Sequence, residues 1–251
     1  MKPRVSEASK LARRQWMQRG AALLAAAALV ERPAAASTPA PASVSAPPGA
    51  LLLGQRGGPN EGVDERIARR LTQLGFAVTR ADQDAAPQAA QGMALVVISS
   101  TVAAKHVNAG WRYAPVPLLT WENDCLDDLA MTGKRSGADY GEAPRERYLW
   151  LVNAPHPLAA GLPAGATNVY VKQAGMSWGR PGLGASTIAT LYGQPEKAAI
   201  FGYEKGATMD YESLAPARRV MFFLDNESFD NLSPAGLQLF DAAVAWAAQG
   251  K

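Results

Sequence analysis

The chain of 251 residues contains one cysteine and two histidines. A single cysteine excludes an intramolecular disulfide, so stability has to come from an ordinary apolar core. His106 and His156 alone are too few for a histidine-rich metal site. No run approaches the roughly 20 strongly apolar residues of a membrane span. The glycine-rich stretch "GQRGGPNEG" matches neither Gly-x-Gly-x-x-Gly nor the P-loop, and Glu61 inside it would repel phosphate. It reads as a tight turn rather than an anion cradle.

Basic charge is in excess, with 25 Lys and Arg against 22 Asp and Glu, but it is unevenly placed. Residues 1–36 hold seven basic and two acidic side chains, which leaves 18 and 20 in the remainder, a net charge of −2. The basic balance therefore belongs to the leader and gives no argument for nucleic acid. That leader combines a polar basic start, the short apolar run "AALLAAAALV" and the small residues "PAAA" ending at Ala36. This is the organisation of an export signal cleaved after Ala36. Arg13–Arg14 followed by Gln15, Trp16 and Met17 resembles the twin-arginine motif, with Ala12, Trp16 and Gln18 departing from the usual residues. The expected location is periplasmic or extracellular. Residues 37–49, rich in Pro, Ala and Ser, read as an extended linker, and residues 50–251 as one folded domain of about 200 residues.

Within that domain "ALLLGQ", "FAVTRA", "MALVVISS" and "VPLLTWE" read as buried-type strands. "NEGVDERIARRLTQLG" is a helix with Val63, Ile67, Leu71 and Leu74 on one face, acids early, arginines late and Gly75 at its end. "TVAAKHVNAGWRY" is a weaker helix candidate, and a helix-like segment follows Glu122. Alternating strands and helices imply βαβ units and a doubly wound, mainly parallel α/β sheet. The second half is hairpin-rich, with strands in "RYLWLVN", "TNVYVK", "STIATLYG", "KAAIFGYEKG" and "RRVMFFLD". "SPAGLQLFDAAVAWAAQ" closes the chain as a helix, with Ser233 as N-cap, Pro234 in the first turn, and Leu237, Phe240, Val244 and Ala248 as its stripe.

"NAPHPLAAGLP", the pair "AAIFGYEKGA…ARRVMFFL" and a final helix bearing Trp246 resemble trehalose-utilisation-type (ThuA-like) domains. Those domains share the flavodoxin-like core of class I glutamine amidotransferases. "LVVISSTV…VPLLTWENDCLDDLAMTG" also resembles exported bacterial proteins with this core. The resemblance spans about residues 50–249 and implies the fold, not an activity. The amidotransferase machinery does not carry over. Cys125 lies between Asp124 and Leu126 with no flanking glycine, and His156 is followed by Pro157 rather than preceding an acid, so glutamine hydrolysis is not expected.

Ligands in such sheets gather beyond the carboxyl ends of the parallel strands. The candidates there are Gln55, Ser99, Ser100, Trp121, Glu122, Asn123 and Asp124, with Glu204 and Asp225 approaching from later strands. Glu122 is the candidate acid or base, since burial at a strand end raises a carboxyl pKa. Its competing role is to cap the following helix turn, which the residue types favour. Ser99 and Ser100 can position a ligand or cap a helix, and no Gly-x-Ser-x-Gly elbow surrounds them. Cys125 reads as a small buried apolar residue, with a reactive thiol as the alternative. A carboxylate-only Ca²⁺ or Mg²⁺ site would draw on Glu122, Asp124, Asp127 or Asp128. Neither a metal nor a cofactor is expected. In "AGMSWGRPGLGA", Met176, Trp178 and Arg180 form either a binding rim or a loop whose Trp packs on the sheet. The expectation is a small-molecule ligand, with a saccharide preferred from the resemblance and from Trp121 beside Glu122. The alternative is a non-catalytic interaction protein on the same fold.

Overall fold

The computed structural model describes residues 46–249, so the expected leader and residues 37–45 of the expected linker lie outside the described residues. Strand β1 (Gly49–Gly54) is apolar on both faces and lies in the parallel half of the sheet. It is flanked by β2 (Ala77–Asp82) and β3 (Leu95–Ile98), and β3 is followed in space by β4 (Leu118–Thr120). The next neighbour of β4 is the last strand of the chain, β11 (Arg219–Met221), also parallel. Beyond it the sheet turns antiparallel through β10 (Gln194–Tyr203), β9 (Ser186–Leu191), β6 (Tyr148–Leu151) and β7 (Gly165–Asn168). Strands β5 (Tyr140–Glu146) and β8 (Ala174–Gly179) pair with each other and join β10 through Ala198 and Gly179. The architecture is α/β with a mainly parallel first half and a hairpin-built second half.

Strand periodicity sorts the core into two layers. Ala50, Leu52, Leu95 and Val97 point to one face, which also receives helix α1 (Glu61–Gln73) and helix α2 (Pro234–Ala248). Leu51, Leu53, Val96 and Ile98 point to the other, where Trp111, Cys125, Leu126, Met131 and Met209 cover them. That second layer contains no α-helix among the described residues. It is made of 3₁₀ turns and loops.

The difference has local causes. The helix candidate at 101–113 breaks into 3₁₀ turns, Ala104–His106 and Ala109–Tyr113. Asn108 stands between them and its side chain accepts from the Gly110 amide at 2.8 Å, a local bond that competes with helix propagation. The segment after Glu122 likewise forms a 3₁₀ turn, Asn123–Cys125, followed by irregular turns that end at Ala130 in a left-handed conformation at φ 57°.

On the helical face, α1 follows its sequence, with Val63, Ile67 and Leu71 buried. In α2 the Ser233 hydroxyl accepts from the Gly236 amide at 3.1 Å, as an N-cap should. Its buried face is Leu239, Phe240, Ala243, Val244 and Ala247, rotated from the expected stripe, and Leu237 and Ala248 are half-buried. Arg70 grips Asp241 with both arms of its guanidinium, tying α1 to α2.

Two further segments differ from expectation. "AGMSWG" is not a loop but β8, with Met176 and Trp178 buried. "TNVYVK" leaves the sheet after Asn168, because the hydroxyl of buried Tyr170 turns inward to Ser228 Oγ at 2.9 Å and the Gly175 carbonyl at 3.1 Å.

Arg219, at the start of β11, is fully buried. Among the described residues no carboxylate pairs with it. Its guanidinium donates to the carbonyls of Ala114 at 2.6 Å, Val116 at 2.8 Å and Arg218 at 3.2 Å, and burial lowers its pKa to about 10. Replacing a buried, hydrogen-bonded cation leaves its acceptors stranded. Arg219→Met should therefore lower unfolding free energy by about 3 kcal/mol in urea titrations.

Candidate functional site

Where β3, β4 and β11 end, their following loops enclose a cleft of about 440 Å³. Ser100 comes from the end of β3, and Glu122, Asn123 and Asp124 from the corner after β4. Asp225 and Asn226 follow β11, Glu142 reaches in from β5, and Lys105 stands on the rim. This is the carboxyl edge of the parallel strands, where open α/β sheets bind ligands.

Glu122 is only 6% exposed. Its amide donates to Thr120 Oγ1 at 3.1 Å, and Thr120 donates to the Ile98 carbonyl at 3.1 Å, so the corner is fastened to β3. Its carboxyl oxygen accepts from the Asp124 amide at 3.0 Å. The capping role is thus real. Burial nevertheless dominates and raises the pKa to about 8; the Asp124 amide pulls downward, while the charges of Asp124 and Glu142 push further upward. At neutral pH the capping group is mostly a neutral acid, with ionisable carboxyls beside it.

Glu142 and Asp225 approach each other over Gly175. An oxygen of each occupies the space that a Cβ on Gly175 would need, so glycine is required at that point. Burial raises the pKa of Glu142, and Asp225 and Asp124 add to the effect.

Other sequence-predicted residues fall elsewhere. Trp121 turns the opposite way from Glu122, as strand alternation demands, and packs edge-on against Phe240 at 6.0 Å. It offers no face to a ligand in the cleft. Trp178 is 3% exposed within β8, with Lys197 Nζ 4.7 Å above its ring, so it forms neither lid nor rim. The pentapeptide Gly175–Gly179 matches Gly-x-Ser-x-Gly, yet it is strand throughout and Ser177 is buried, not displayed on an elbow.

Ser99 and Gln55 belong to a neighbouring cluster. Thr101 Oγ1 donates to Asp64 at 2.7 Å and accepts from the Gln55 amide at 3.3 Å, while Ser99 turns toward the same carboxyl. Asp64 is 2% exposed and burial raises its pKa. Glu204 lies at the opposite edge of the sheet. Because β10 runs antiparallel to β11, its end meets the beginning of β11, and Glu204 pairs there with Arg218 at 2.7 Å.

Cys125 is buried, and burial with the surrounding carboxylates pushes its thiol pKa upward. His156 caps the turn at Pro157–Ala159, accepting from the Leu158 amide at 3.1 Å, and its ring lies 5.4 Å from Trp246. The cysteine and the histidine do not meet. Among the described residues no three His, Cys, Asp or Glu side chains are grouped to hold a metal ion.

Sequence reasoning misses Glu142, Asn226 and Lys105. Glu142 arrives on β5, a strand without a hydrophobic run to announce it. Of the later acids only Asp225 is signalled correctly, by its position after an apolar strand.

No family model and no curated protein matches the chain. Among solved structures it is similar to a candidate GMP synthase component from Thermoplasma acidophilum. The TM-score is 0.50 at 13% identity, over 80% of this chain and 94% of that one. The N-terminal domain of mmIFT52 aligns with a TM-score of 0.49 at 8% identity, over 81% and 99%. The first of these likenesses shows a class I glutamine-amidotransferase-like fold.

Two outcomes follow from the buried groups. Folded Glu122 keeps its proton up to about pH 8, whereas the unfolded side chain loses it near 4.5. Stability should fall by a few kcal/mol as pH rises between those values, and Glu122→Gln should flatten that slope in urea melts. Cys125 should resist iodoacetamide in the native protein and react on unfolding, which mass spectrometry would score.

Proposed function

We propose that this is an exported, ThuA-like protein that binds or processes a small hydroxyl-rich ligand of the carbohydrate class at the Glu122 cleft. The carrying observation is the mixed lining of that cleft. Neutral Glu122 is a donor, Asp124 and Asp225 are acceptors, and the carboxamides of Asn123 and Asn226 are both. Hydroxyl groups, which donate and accept, match such a lining, whereas a phosphate would face several carboxylates. Export is supported by the leader pattern, and the ThuA-like assignment by the turn at His156–Pro157 together with the amidotransferase-like fold.

In the catalytic version of this reading Glu122 is the proton donor. A protonated carboxyl beside ionisable ones is the usual means of placing acid and base in one site. Asn123 would position substrate. Glutamine hydrolysis has no support, since Cys125 is buried and His156 lies away from it.

A second reading has its own observation. Trp150, Tyr148, Tyr192 and Val152 are between 42% and 53% exposed. The three rings form one row on β6 and beside β9, with centroids 6.1 and 6.2 Å apart. Exposed aromatic rows of this kind mark partner surfaces, which favours an interaction protein.

A thermal-shift panel of neutral mono- and disaccharides separates the two. A saturating ligand at 100 times its dissociation constant should stabilise the protein by about 2.7 kcal/mol. Glu122→Gln should retain binding and abolish any turnover. A flat panel, with partner binding lost on Trp150→Ala, would replace the cleft reading with the interaction reading.

A further inference from the structure

Among the described residues some carboxylates outside the cleft stand without an ion-pair partner, as Asp127 and Asp210 do, and others are neutralised. Asp139, Asp230, Asp241, Glu61, Glu65 and Glu204 each pair with an arginine. Among the described residues, none of Glu122, Asp124, Glu142 and Asp225 has an ion-pair partner, although all four line one cleft and Lys105 is the only cation in its lining. Two of them, Glu142 and Asp225, are brought together over a glycine that leaves room for both. Gathering like charges in a half-buried place is unfavourable, and a bound cation relieves it. The pKa of Glu142 is raised first by burial and then by the charges of Asp225 and Asp124.

A second observation points to a ligand independently. Ser100 lines the cleft at 6% exposure, and its hydroxyl has no hydrogen-bond partner among the described residues. An unmet buried hydroxyl is unfavourable, and a polar ligand group at this position would satisfy it. Charge alone could be met by a metal ion, but the four carboxyls are not grouped as metal ligands. A larger cation with hydroxyls of its own meets both the charge and the serine.

We propose that the cleft selects an ammonium-bearing saccharide, its cationic group seated between Glu142 and Asp225 and its hydroxyls reaching Ser100 and Glu122. The inference rests on the carbohydrate reading above and narrows it. Acidic and phosphorylated sugars are excluded by the same charges, and the neutral acid of Glu122 serves as a hydroxyl partner rather than a fourth attraction for the amine.

Isothermal titration of the full chain with glucosamine, glucose and N-acetylglucosamine tests this, at about pH 6 where the sugar amine is charged. Glucosamine should bind roughly tenfold more tightly than the other two. That advantage should shrink as salt is raised. Glu142→Gln combined with Asp225→Asn should abolish the preference without lowering Tm, since removing like charges does not harm the fold. If that double variant does not fold, Asp225→Asn alone should weaken the preference. Equal binding of glucose and glucosamine would overturn the ammonium seat and leave the carbohydrate reading standing. A preference that survives the variants would also overturn it. Stabilisation by Ca²⁺ or Mg²⁺ with no response to any sugar, or no response at all, would end both readings.

Discussion

The sheet depends on how its last strand is inserted. β11 is three residues long and has to join a parallel half made early in the chain to an antiparallel half made later. It pairs in parallel with β4 and antiparallel with β10, so the two halves are joined through it. Arg219 fastens this strand by giving its guanidinium to carbonyls in the connection before β4. Burying an arginine without a carboxylate is costly, and the carbonyl cage is what makes it tolerable. The same insertion carries Phe222, Phe223 and Leu224 through the core and delivers Asp225 to the cleft. Fold closure and site assembly are therefore one event.

The cleft inherits its chemistry from that geometry. A carboxyl at the end of an apolar strand loses water on most sides and becomes a weaker acid. Glu122 does so while capping its own turn, so one residue holds the corner in shape and keeps a proton near neutrality. Asp124 and Asn123 remain nearer solvent because the 3₁₀ turn projects them outward. After the 3₁₀ turn the chain continues in irregular turns up to Ala130 rather than in a regular helix.

Much of the fold is legible in the residues themselves. The strands of the parallel half, α1, the capped α2 and the late hairpin all rest on strong local signals: apolar runs, charge ordering and Ser233–Pro234. The carboxyl edge is legible too, with Ser100, Glu122, Asn123 and Asp124 placed there. What does not show is set by packing over distance. Adjacency groups Trp121 with Glu122, although a strand sends neighbours to opposite faces. Trp178 reads as loop because glycines surround it, yet those glycines allow close approach by Glu142, Asp225 and Phe201. Glu204 is drawn to the site by its proximity to a strand end, and only the strand's direction reveals that the end is the wrong one. Glu142 leaves no trace at all, since pairing with β8 is the only reason that its segment is a strand.

The two layers over the sheet are unequal in a way that bears on motion. One is built from α1 and α2, whose amides are held in continuous ladders. The other is short turns, without the continuous ladders of a helix, and the cleft opens on that side. Regions with few internal bonds open at lower free energy than helical ones. Amide protons should thus exchange on two clocks, slowly beneath the helices and faster around the turns that rim the cleft. A ligand can then be admitted by loosening a cover of turns while the helical layer stays closed.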